Sequence, residues 1–189
     1  FVTIAGQTAP SPGITFIRGG INIQSHNVIV RHIRVRPGEA RHAKKSGWEV
    51  DGMSTLQGSF NVIVDHCSFS WATDENLSVS GEFFDGATPE EWRRNTSRRV
   101  TFSNNNIAEG RDNSTHRKVR HSIGTLLLDN TSDILVAGNL YVSNVERNPQ
   151  IKGGVFLFAG TTRAIAGLGG AGARAAECRS AAVGSRCRG

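Results

Sequence analysis

The stretch Asn61-Val-Ile-Val-Asp-His-Cys-Ser-Phe-Ser70 reads as two short strands broken by a polar corner. Apolar side chains alternate in each half, the period of an extended chain with one buried face. The same design recurs along the chain. Asn27-Val-Ile-Val, Arg99-Val-Thr-Phe and Asp133-Ile-Leu-Val repeat the first half, with starts 34, 38 and 34 residues apart. His32-Ile-Arg-Val, Asn105-Asn-Ile and Asn139-Leu-Tyr-Val repeat the second half. A third short piece precedes most of them: Ile21-Asn-Ile, Met53-Ser-Thr-Leu and Gly124-Thr-Leu-Leu-Leu, with Leu77-Ser-Val less clearly placed.

Three strands per repeat, with no helical period between them, predict a β-solenoid. One coil cannot bury its own apolar face, whereas stacked coils share a continuous core and tolerate long turns. The longest insertions are 37–50 and 81–98, and Thr88-Pro-Glu-Glu-Trp in the second predicts a short helix capped by Thr88. The uneven spacing disfavours a propeller. A sandwich would need hairpin signals, and Asp51-Gly52 and Asp85-Gly86 join no two clean strands. Asn104, Asn105, Asn106 and Asn139 at strand–turn junctions are candidates for amide ladders. Cys67 reads as a small buried hydrophobe.

The pattern fails after about Val155. Residues 155–189 are rich in Ala, Gly and Arg and read as a disordered or frame-shifted tail. Five arginines against Glu177 over 160–189 supply +4 of the net charge of +6. Cys178 and Cys187 define no disulfide framework with Cys67. The basic residues form no nucleic-acid motif, so neither nucleic acid nor membrane is an expected partner; a polyanionic sugar suits the charge equally well. No apolar run is long enough to span a bilayer. The chain opens on Phe1-Val-Thr-Ile-Ala-Gly, which reads as a strand and not as a signal peptide, as expected of a mature secreted enzyme and of an internal fragment alike.

Val2-Thr-Ile-Ala-Gly-Gln-Thr-Ala-Pro, Ile33-Arg-Val-Arg-Pro-Gly, Asp51-Gly-Met-Ser, Val62-Ile-Val-Asp-His-Cys-Ser, Ser70-Trp-Ala-Thr-Asp-Glu-Asn-Leu-Ser-Val and Arg147-Asn-Pro-Gln-Ile-Lys occur in this order. In order and spacing they resemble the pectate lyases over about residues 1–154. The resemblance implies an all-β, right-handed parallel β-helix, here incomplete at both ends. It also implies calcium-dependent β-elimination of polygalacturonate or pectin by a secreted, monomeric enzyme.

β-Elimination requires loss of the proton on carbon 5, stabilisation of charge growing on the neighbouring carboxylate, and departure of the oxygen at carbon 4. A hard cation bridging protein and sugar carboxylates acidifies that proton, and a basic side chain removes it. Asp51 and Asp74 fall at matching edges of adjacent repeats, and the resemblance makes both calcium ligands. Ser78 stands where the family often has a further carboxylate. Glu75 is the substitute, although strict alternation would point it away from Asp74.

By the same resemblance Arg147 is the base, although arginine is ordinarily protonated below a pKa of about 12. Lys152 replaces a second arginine, keeping the charge without the bidentate fork. His121 stands at a substrate-contacting lysine position, with His116 and Lys118 as fallbacks. Trp71 is a candidate sugar-stacking platform, with a core role the alternative. Asp65 and His66 read as structural, facing opposite sides of their strand. Two other readings stay open: a non-catalytic or inactive polysaccharide-binding β-helix, and a polygalacturonase-type hydrolase, whose expected aspartate cluster is not evident.

Overall fold

The computed structural model describes residues 1–118, 121–152, 156–159 and 163–165. Strands follow one another three to a coil. The first coil holds β1 (Val2–Ala5), β2 (Ile14–Ile17) and β3 (Ile21–Ile23), and the second β4 (His26–Arg31), β5 (Ile33–Arg36) and β6 (Met53–Thr55). The third holds β7 (Phe60–Asp65), β8 (Ser68–Ser70) and β9 (Glu75–Val79), and the fourth β10 (Arg98–Ser103), β11 (Asn106–Ala108) and β12 (Ile123–Leu127). The fifth holds β13 (Ser132–Ala137), β14 (Leu140–Val142) and β15 (Gln150–Ile151). Then β16 (Phe156–Ala159) and β17 (Arg163–Ile165) join the first two sheets, beyond the boundary expected at 154. The rest of the tail, with Cys178 and Cys187, lies outside the described residues.

Every strand pairs in parallel with its counterpart one coil away, giving two six-stranded sheets and one five-stranded sheet. This is a right-handed parallel β-helix. Register stacks like on like: Val28, Val62, Val100 and Ile134 form one inward column, and Val35, Phe69, Ile107 and Tyr141 another. These side chains are almost wholly buried in a common core.

The polar residue opening each repeat has a backbone reason. Asn27, Asn61, Arg99 and Asp133 all adopt positive φ, between 52° and 58°. That left-handed conformation suits Asn and Asp and turns the chain into the strand. The expected asparagine ladder also forms. Asn105 Oδ1 accepts the Cys67 amide at 2.9 Å, and Asn139 Oδ1 accepts the Asn105 amide at 2.9 Å. Asn104 leaves the ladder to donate to Asp65, and Asn106 lies exposed on β11. Cys67 is buried, as expected.

Asp65 and His66 do not face opposite sides. The strand ends at Asp65, and His66 takes a φ of 53°, so its ring swings back to within 2.8 Å of Asp65. Helix α1 (Pro89–Asn95) starts at Thr88 with both arms of a capping box, Thr88 accepting from the Glu91 amide and Glu91 accepting from the Thr88 amide. No helix among the described residues is long and apolar enough to cross a membrane.

Candidate active site

The site lies at the edge where chain enters the five-stranded sheet. Close stacking there depends on residues without side chains. A Cβ on Gly52 would sit 2.3 Å from the Asn76 carbonyl oxygen, and one on Gly124 would sit 2.4 Å from that of Arg147. The approach brings Asp51 of one coil beside Asp74 and Glu75 of the next.

Asp51, Asp74 and Glu75 each offer a carboxylate oxygen, all within 4.8 Å of one another. Glu75 therefore joins the cluster that alternation would have kept it from. Thr73 and Asp74 form a bend before β9 begins, so the period of two starts only after the pair. Ser78 is buried, and its hydroxyl donates to Asp51 at 2.7 Å, while the Glu75 amide donates to the other Asp51 oxygen at 3.2 Å. Ser78 thus supplies a hydrogen bond, not a charge. Burial first, and the Asp74 charge second, push the Asp51 carboxyl up to about 7.

One cation already faces this charge. The Arg147 guanidinium, from two coils further along the sheet edge, is ion-paired with the nearly buried Glu75. Its Nε is buried and makes no hydrogen bond. A second asparagine pair, not foreseen from sequence, braces both ends of this relationship. Asn76 follows Glu75 directly and donates to Asn144 Oδ1 at 3.1 Å, and Asn144 also accepts the Gly110 amide at 3.0 Å. Asn76 sits inside an Asp-Glu-Asn run that reads as a polar turn, which hid its role.

His121 is buried, its Nε2 lying 2.8 Å from Asp74 Oδ1. It is a partner of Asp74 rather than a side chain reaching into solvent. His116 stacks on it with ring centroids 3.6 Å apart. Trp71 is exposed, so the core alternative falls. Its indole donates to Glu109 at 2.9 Å, and the Arg36 guanidinium lies 5.8 Å from its ring centre. Lys152 is exposed just beyond β15, its amide held by the Leu127 carbonyl.

The sequence is similar to the "Probable pectate lyase C" of Emericella nidulans, 36% identical over 153 residues that make up 80% of this chain and 30% of that protein. The proteins of the same name from Aspergillus terreus and Aspergillus fumigatus are 35% and 33% identical over the same shares. No protein-family model matches the chain.

Over four fifths of its length the chain is thus similar to proteins named as probable pectate lyases. It spans about a third of the length of the curated relatives it matches (30%). For a pectate lyase relative the cluster is chemically apt. Three carboxylate oxygens are hard donors of the kind calcium takes, and the crowding of their charges is what a divalent cation relieves. Asp51, Asp74 and Glu75 are the residues that could hold it.

Proposed function

We propose that the chain is the catalytic part of a secreted, calcium-dependent lyase that cleaves polygalacturonate by β-elimination. One observation carries the reading: three carboxylates and a single guanidinium converge at the edge of one sheet. Asp51, Asp74 and Glu75 would hold calcium, which when bound draws the sugar carboxylate in and makes the neighbouring carbon 5 proton more acidic.

Arg147 then acts on that proton. Its guanidinium has to leave Glu75 to reach the proton. As the carbon 5 proton passes to Arg147, its electron pair forms the double bond to carbon 4, and the glycosidic oxygen departs with the former bond pair. Lys152 and the exposed face of Trp71 would bind neighbouring acidic sugars, Lys152 by charge and Trp71 by stacking. His121 would hold Asp74 in place.

A second reading has its own support. Arg147 is engaged by Glu75, and a guanidinium fixed there serves a binding groove as readily as a catalytic one. The unsaturated product separates the readings, because only elimination creates a conjugated, ultraviolet-absorbing double bond. Rising absorbance from polygalacturonate but not from fully methylated pectin supports the lyase. Binding of polygalacturonate without rising absorbance favours the groove.

A further inference from the structure

We propose that Asp74, His116 and His121 form a site for a borderline transition metal such as Zn²⁺, different in donor chemistry from the all-oxygen cluster with which it shares Asp74. The three side chains each present a ligand atom, all within 4.8 Å of one another. His121 Nε2 lies 2.8 Å from Asp74 Oδ1, and His116 Nε2 lies 3.9 Å from Asp74 Oδ2. Glu49 Oε1 is 3.6 Å from the same His116 nitrogen, outside the three-member group, and accepts the Arg117 amide at 3.2 Å. Two imidazoles with one carboxylate, and a fourth position open to water, suit zinc, nickel or copper, whereas calcium and magnesium take oxygen alone.

The surroundings enclose the two rings. Both histidines are buried, at 4% and 6% exposure, so their side of a bound ion is shielded from water. Two hydrogen bonds oppose ligation, and the first is His121 Nε2 to Asp74 Oδ1 at 2.8 Å, which the ion would have to replace. In the second, His116 Nδ1 accepts the Lys118 amide at 3.0 Å, which puts the ring proton on Nε2. Binding through Nε2 moves that proton to Nδ1 and releases the amide, which water can satisfy because Lys118 is exposed.

The site has a structural purpose. Glu49 closes the insertion 37–50, while His116 and His121 belong to the segment between β11 and β12. The two segments already touch: the Gly47 amide donates to the Thr115 carbonyl at 2.9 Å, and the Thr115 hydroxyl to the Trp48 carbonyl at 2.6 Å. A metal would fasten the segment of His116 and His121, and through these contacts the insertion, to Asp74 at the mouth of the sheet. This inference does not depend on lyase activity.

The test is calorimetric titration of the full chain with zinc chloride, alongside His116→Gln and Glu75→Gln. One zinc should bind, and His116→Gln should weaken it by at least ~10-fold. Glu75→Gln should leave zinc affinity unchanged while weakening calcium, so failure of the calcium reading registers separately. In the unmodified protein, Co²⁺ should shift the imidazole resonances of His116 and His121 before those of exposed His26, His32, His42 and His66. Absence of zinc binding, equal affinity in a folded His116→Gln, or first shifts at the exposed histidines would each overturn the proposal.

Discussion

Arg147 and Glu75 form an ion pair that bridges three successive coils at one edge of the five-stranded sheet. Both side chains are largely buried, at 17% and 7% exposure. Removing one partner of such a pair leaves a charge without compensation. Glu75→Gln should therefore destabilise the protein by about 3 kcal/mol, the low end of that range because Asp51 and Asp74 stay near the guanidinium. Urea denaturation without added metal measures it.

Asp51 should behave in the opposite way. Its carboxyl is raised to about 7 by burial and by Asp74, so ionising it costs the folded state stability. That cost is absent in acid, grows as pH climbs to about 7, and is complete above it. Asp51→Asn should raise the melting temperature at pH values above this window in chelator and abolish the stabilising effect of added calcium. Thermal melts with and without calcium read both effects.

The asparagine ladder makes a sharper claim about single residues. Asn105 and Asn139 are buried, and each satisfies backbone groups of an adjacent coil. Asn105→Ala should lose about 2–3 kcal/mol, since it strands the Cys67 amide and the Val64 carbonyl. Asn106→Ala, one position away but exposed on β11, should change stability by less than about 0.5 kcal/mol. Equal losses at both positions would contradict the ladder.

Much of this architecture was legible because the solenoid writes its backbone needs into sequence. Residues such as Asn27 and Asn61 recur where the chain turns left-handed, and alternate valines follow them. The resemblance likewise singled out Asp51, Asp74 and Arg147. Alternation misled at Glu75 because the strand begins at that residue, after a bend. It misled at His66 because the strand ends before it. Asn76 was missed as a site-builder because its partner, Asn144, comes from another coil, and His116 was named only as a fallback to His121. Periodicity reports the face a residue occupies within a coil, not what the next coil places against it.

Asp65 carries a pH prediction. Burial alone would raise its carboxyl, but donation from Ser103, His66, Asn104 and Arg31 outweighs this and holds it below the ordinary carboxylate range. A depressed folded value stabilises the protein above the unfolded carboxyl's value, and the gain is lost as pH falls through the folded one. Wild type should exceed Asp65→Asn by about 2 kcal/mol near neutrality. The difference should shrink as pH drops below about 4. Parallel chemical denaturation across that range checks the sign.

The central claim is tested most directly by ultraviolet absorbance of polygalacturonate at alkaline pH, with calcium, with chelator, and with calcium restored. The account predicts a rise that chelator stops and calcium restores, reduced ~10²–10⁴-fold in a folded Arg147→Ala. A rise indifferent to chelator, or undiminished in Arg147→Ala, would contradict it.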